Sequence, residues 1–398
     1  MMRFLVVRYP LARALAAWTR LLMGKRKTIY FTVMLIIPVV FIELSLQVYY
    51  RISNGGFLFH RVGLSINSPD IYRVYKAKPN LSLRQRTNEF DVTYYTNSQG
   101  LRTNSQKKEV NIEKANTTYR ILFLGPSFTF GWANNYEDIF VTIISKNITA
   151  IGKDIEIMNL GTPAQPINYQ LCWLKEIGYK YSPDMIIQTV YGNPGVIPSK
   201  CYIPIDHPTI HNGYLYRSND PLRIRILSIV KNSAIVFYGW YIYQFMISSD
   251  DNNVGLGTEL YESKLDNSPN KNGNNKTRSY SDYIAFVREA VKREIPIIFL
   301  YIPFSYVVRP ADLSRWTLTD LKNPYLLRTE AKEMEILLEQ QNIPFVNPTD
   351  ELISKDKETR TYYFLDLHFT PAGNKVVAEK SIPVIQKFIN LDTNENRD

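Results

Sequence analysis

The sequence predicts an α/β protein built on a five-stranded parallel sheet. Three observations carry that reading. Strand-like apolar runs recur at 120–125, 155–160, 185–191, 296–302 and 344–347. Helix-like runs separate or follow them, at roughly 137–151, 166–180, 222–247, 280–294, 324–341 and 371–390. The strand runs are apolar throughout, as expected where helical crossovers cover both faces of a sheet. Pro183 and Pro296 stand just before the third and fourth strands, where they stop the preceding helices.

The chain has 398 residues, 45% hydrophobic and 21% charged, which suits a large globular domain with appendages. Seven of its ten net positive charges lie in residues 1–28: Arg3, Arg8, Arg13, Arg20, Lys25, Arg26 and Lys27. The rest of the chain is close to neutral. A basic nucleic-acid-binding face is therefore excluded as an expectation, since the charge is a block at one end. Residues 29–48 follow this block with one formal charge, Glu43, over a length that suits a bilayer. No small-x-small cleavage site follows, so the segment reads as an uncleaved anchor. The cations before it put the N-terminus inside and the remainder outside. Residues 1–22 scatter arginines among apolar positions and read as a basic helix on the inner membrane surface.

Residues 51–118 are turn-rich and read as a stalk or cap packed on the main domain, which spans 119–392. Residues 248–279 are rich in Asn, Asp, Ser, Gly and Lys and read as a solvated, mobile insertion. Beyond the anchor, no second apolar amphipathic segment is evident near the expected site. Aromatics make up 13% of the chain, with 28 Tyr, and are expected mostly to pack on the sheet. Two cysteines, Cys172 and Cys201, suit one disulfide outside the cytoplasm. His207 and His211 have helical metal spacing, but Pro208 and Gly213 make that segment a loop. No metal site and no cofactor are expected.

Arg120 to Gly131 is the segment with the most chemistry in it. An apolar strand ends at Gly125, and Ser127 follows at the mouth of the sheet, where α/β folds place ligands and nucleophiles. A serine hydroxyl needs a base within reach, and the base needs a partner to fix its tautomer. His368 and Asp366 supply that pair, in Asp366-Leu-His368 before the last helix. Acyl transfer also needs donors for the developing oxyanion. The backbone N–H groups of Ser127 and Ala164 and the Asn193 side chain are the candidates, the last two in loops after the second and third strands.

In this order the blocks resemble the SGNH/GDSL hydrolase superfamily, in a membrane-anchored extracytoplasmic branch similar to polysaccharide O-acetyltransferases and esterases. Gly125-Pro126-Ser127 corresponds to the Gly-Asp-Ser motif, Asn159 to Ala164 to the second block, Asn193-Pro194 to the Asn-Asp block, and Asp366 with His368 to the last. The lead-in Thr96-Asn-Ser-Gln-Gly100 is similar too, and the resemblance covers roughly 70–390. Pro126 and Pro194 replace acids, Ala164 replaces a glycine, and the last block is Asp-x-His, not Asp-x-x-His.

The resemblance implies a three-layer α/β/α, flavodoxin-like fold behind a transmembrane helix. It implies a serine esterase or O-acyltransferase working through an acyl-enzyme on an acylated carbohydrate or other ester. The address it implies is the outer side of a bacterial inner membrane, with polysaccharide-assembly proteins as partners. The departures raise one alternative, a non-catalytic member that binds glycan or scaffolds polysaccharide export.

Overall fold

The computed structural model describes residues 9–54, 56–60, 66–70, 74–150, 152–163, 165, 167–192, 209–211, 214–216, 220–240, 242, 287–315 and 324–395. The insertion expected at 248–279, together with Ala164, Asn193, Pro194, Cys201 and His207, lies outside these residues.

The main sheet consists of β6 (Thr118–Leu124), β7 (Asp154–Asn159), β8 (Met185–Tyr191), β11 (Ile297–Ile302) and β12 (Phe345–Val346). All its pairings are parallel, in the order β12-β11-β8-β6-β7. Numbered along the chain this is 2-1-3-4-5, the flavodoxin-like order, whose switch point lies between the first and third strands. Successive residues of each strand point to opposite faces, so each strand contributes to two cores. Tyr119, Ile121 and Phe123 of β6 join Ile187, Ile298 and Leu300 on one face. That face is covered by α3 (Phe140–Asn147), α8 (Thr349–Asp356) and α9 (Pro371–Glu395), whose Ile144, Leu352 and Val377 are buried there. Leu122 and Leu124 join Ile186, Phe299 and Tyr301 on the other. Here α4 (Ile167–Glu176) and, after the short α6 (Ser305–Val308), α7 (Pro324–Glu339) supply Leu174, Trp173, Met334 and Leu338. The fold is therefore the expected α/β sandwich of three layers, and each strand lies within a residue or two of its expected place.

Outside the sandwich, β1 (Asn67–Asp70) and β2 (Val74–Ala77) pair antiparallel. Next come β3 (Ser82–Arg86), β4 (Asp91–Thr96) and β5 (Arg102–Thr103), an antiparallel sheet. Phe90, Val92 and Tyr94 form a third core with Phe130 and Ala133, just beyond the end of β6. Arg102 lies beneath, wholly buried, its guanidinium donating to the carbonyls of Tyr95, Thr103 and Asn134. It also stands over the rings of Tyr94 and Phe130. Burial lowers it to about 10, which leaves it charged at neutral pH.

Three expectations need correction. The N-terminal basic segment is not a separate surface helix, because α1 runs unbroken from Tyr9 to Asn54 with Pro38 inside it. Within α1, Thr32–Ser53 has a mean hydropathy of 1.9 and is long and apolar enough to cross a membrane. The helix expected over 222–247 is broken at Ser233, which ends α5 (Pro221–Asn232) before a second helical segment at 234–240. The segment around His211 is no loop: β9 (Thr209–His211) pairs antiparallel with β10 (Tyr214–Tyr216). Cys172, on α4, is disulfide-bonded.

Arg120 is buried in the middle of the fold. Its Nε donates to Glu156 at 2.6 Å, and its two terminal nitrogens donate to the carbonyls of Ile112, Tyr181 and Asn111. Arg120→Ala strips these acceptors of their donor and leaves a half-buried carboxylate unpaired. We expect a loss of roughly 3 kcal/mol, read as a lower midpoint in urea unfolding of the detergent-solubilised chain; an unchanged midpoint would refute this account.

Candidate active site

β6 ends at Leu124, and α2 (Ser127–Phe130) begins three residues later, a sharp strand-to-helix turn. Gly125 permits it. A Cβ there would run into the side chains of Thr129 and Thr189. Pro126 is the residue before the helix, with extended φ and ψ of −81° and −152°. It has no N–H to satisfy at a position where helices leave donors unpaired, so the ring costs the turn nothing. The turn is tied to the loop after β7. Asn159 Nδ2 donates to the Thr129 carbonyl at 2.7 Å, and Thr162 N donates to the Gly125 carbonyl at 3.0 Å. Gly161 passes so close that a Cβ would strike the Phe130 backbone.

His368 reaches this turn from 241 residues away. Its Nε2 lies 2.7 Å from Ser127 Oγ, and its Nδ1 lies 2.7 Å from Asp366 Oδ1. A carboxylate only accepts, so Nδ1 carries the proton and Nε2 is left to accept from the serine hydroxyl. The Asp and His side chains are partly exposed, at 21% and 22%, so solvent and ligand reach them. The close Asp-x-His spacing works because Leu367 between them is left-handed, φ 66°. That conformation costs a non-glycine residue about 1–2 kcal/mol. An extended strand would hold residues 366 and 368 on one face but about 6–7 Å apart; the left-handed residue bends the chain between them and brings the two side chains together.

The surroundings hold that loop in place. Tyr362 and Phe369 form an isolated bridge, and Tyr363 N donates to the His368 carbonyl at 2.8 Å. Glu89, from the β3–β4 turn, accepts three consecutive N–H groups, of Phe364, Leu365 and Asp366, at 2.6–2.9 Å. Trp132 Nε1 donates to Asp366 Oδ2 at 3.1 Å. Asn134 Nδ2 donates to the Phe369 carbonyl at 2.7 Å and so joins the serine segment to the histidine segment. The Phe128 ring packs against the imidazole, with centroids 4.7 Å apart. Burial, then the Asp366 and Glu89 charges, push the Tyr363 hydroxyl up to about 12, so it stays neutral beside them.

Of the residues singled out in the sequence, Ser127, His368 and Asp366 meet in one hydrogen-bonded chain. Ala164 and Asn193 lie outside the described residues, so of the three oxyanion candidates the structure places Ser127 alone. Gly192, the last described residue before Asn193, follows β8, which pairs with β6, and has φ 59°. Among the described residues no cluster of His, Cys, Asp and Glu could hold a metal ion. Glu89, Trp132, Asn134 and Phe128 were not foreseen. Only Phe128, inside the motif, and Trp132, five residues past Ser127, carried a weak signal in their nearness to it.

No protein-family model matches this chain, and no curated protein sequence matches it. Solved structures do. A member of the lipolytic protein G-D-S-L family from Veillonella parvula is 11% identical, with a TM-score of 0.36, over 67% of this chain and 97% of its own. An acetyl xylan esterase is 12% identical, TM-score 0.36, over 67% of this chain and 99% of its own. A catalytic mutant of an acetylxylan esterase from Geobacillus stearothermophilus is 12% identical, TM-score 0.36, over 68% and 95%.

The three-residue clasp at Glu89 is testable by itself. Glu89→Ala should speed amide exchange at Phe364, Leu365 and Asp366 at least about tenfold, the equivalent of ~1.4 kcal/mol. Hydrogen-exchange mass spectrometry of that peptide reads it; unchanged exchange would show that the clasp does not hold the loop. The parallel five-stranded sheet, in the order 2-1-3-4-5, is the fold that the resemblance implies.

Proposed function

We propose that the chain is a serine ester hydrolase or O-acyltransferase working through an acyl-enzyme. The observation that carries this is the single line of contacts Ser127 Oγ–His368 Nε2 and His368 Nδ1–Asp366 Oδ1, both 2.7 Å, at the carboxyl end of the sheet. Ser127 Oγ attacks the ester carbonyl while His368 Nε2 takes its proton. Asp366 stabilises the imidazolium through Nδ1–H. The carbonyl oxygen becomes an oxyanion, bound by the Ser127 N–H and, in this reading, by the Ala164 N–H and the Asn193 amide. His368 returns the proton to the leaving alcohol, and the acyl group remains on Ser127. A second hydroxyl, of water or of a sugar, is deprotonated by the same imidazole and releases the acyl group. Pro126 leaves this chemistry intact, since the nucleophile, base and orienting acid all stand in place beside it.

The substrate class follows from the resemblance: an acylated carbohydrate, with an acetyl group as the acyl moiety. The apolar stretch of α1, preceded by seven cations, supports an anchored protein with its main domain on the extracytoplasmic side. Polysaccharide-assembly proteins are the partners that such an address suggests.

Ser127→Ala should lower kcat/KM for p-nitrophenyl acetate by on the order of 10⁴-fold or more, because triad members act as a unit. Asp366→Asn should cost ~10³–10⁴-fold by favouring the wrong tautomer. A fluorophosphonate should label Ser127 in the wild type and nothing in Ser127→Ala. Equal turnover by wild type and Ser127→Ala, with no labelling, would favour a glycan-binding protein without catalysis.

A further inference from the structure

α1 is joined to the 221–240 segment by a polar knot. The Glu43 carboxylate accepts from Ser233 Oγ at 2.8 Å, Ala234 N at 2.7 Å, Ile235 N at 3.0 Å and Gln47 Nε2 at 2.8 Å. Gln47, 5% exposed, also donates to the Asn232 carbonyl and accepts from Leu58 N. Beyond the knot, Tyr238 meets Tyr49 and Phe237 meets Tyr50. The segment is thus fastened along the C-terminal part of α1.

Its outer surface is apolar. Leu222, Ile226 and Ile229 are 66%, 53% and 73% exposed, and Trp240 is 62% exposed. At about 100° per residue the first three fall within a narrow stripe on α5. Ile224 and Ser228 are buried on the opposite side, toward the protein. Arg223 and Arg225, both exposed, flank the stripe on either side. An apolar stripe edged with arginines suits the boundary between acyl chains and phosphates, where the arginine stems lie along the hydrocarbon and the heads reach outward. The depth agrees. From Lys27, the last residue of the basic block, to Gln47 is twenty residues of helix. At ~1.5 Å per residue that is about 30 Å, the thickness of the hydrocarbon core. Counted from the basic block, the knot therefore falls in the outer part of the stretch Thr32–Ser53, where Phe41, Leu44 and Val48 of α1 are also exposed.

We propose that α5 and the 234–240 segment form a second membrane contact, lying in the outer interface and braced to the anchor through Glu43. This rests on α1 spanning the bilayer. The test uses the full chain in phosphatidylcholine/phosphatidylglycerol nanodiscs, with spin labels on Ile37→Cys in the anchor, Ile226→Cys and Ile229→Cys in the stripe, and Ile112→Cys on the soluble domain. Labels at 226 and 229 should be at least several-fold more accessible to oxygen than to a nickel chelate, relative to the label at 112, as the label at 37 should be. Water-like values at 226 and 229 with a lipid-like value at 37 overturn the contact and leave the anchor standing. Water-like values at all positions overturn both. Shielding of 226 and 229 from both reagents means a second copy of the chain covers the stripe, which also overturns it. Should the labelled variants fail to fold, quenching by acyl-brominated lipid reads the same contact: Trp240→Phe should lose part of the quenchable emission, and an unchanged quenchable fraction overturns the proposal.

Discussion

The whole architecture depends on burial of both faces of a parallel sheet. Every strand of the sandwich gives side chains to two cores, which leaves the faces no room for water or polar chemistry. Function is pushed to the carboxyl edge. At that edge the order 2-1-3-4-5 opens one crevice, beside the strand that precedes Ser127. The location of Ser127 follows from strand order before its own chemistry is considered.

That edge is also where the fold accepts strain. The left-handed Leu367 is unfavourable by itself and is over-determined by its surroundings. Glu89 fixes the three amides before it, the Tyr362–Phe369 bridge closes the loop, and Trp132 steers the carboxylate. The two 2.7 Å contacts of His368 are thereby held by a loop that cannot easily relax.

The sandwich was legible because its signals are local and repetitive. An apolar run such as 185–191 between helix-like segments names a buried strand, and β8 has those bounds. Ser127, Asp366 and His368 were legible for another reason: few residue types carry acyl-transfer chemistry, and the chain has only four histidines. What was hidden depends on contacts far apart in sequence. Glu89 reads as an ordinary surface acid until the chain brings it 277 residues forward to the Asp366 amide. Glu43 reads as a carboxylate that can pair or mark a helix–helix contact, but its partner Ser233 stands 190 residues away and is not legible. The break at Ser233 was missed for the same reason, since the carboxylate that caps the new helical segment belongs to α1.

Asn88 sits beside Glu89 in the β3–β4 turn, and its side chain donates to the Ile52 carbonyl at 2.6 Å, near the end of α1. Two adjacent residues of one turn therefore grip, on one side, the last turns of the N-terminal helix and, on the other, the loop that carries His368. The triad is not on a free tether. Contacts one β-turn wide thus couple the end of α1 to the loop of Asp366 and His368, and a displacement of the helix end would be passed directly to the geometry around Ser127.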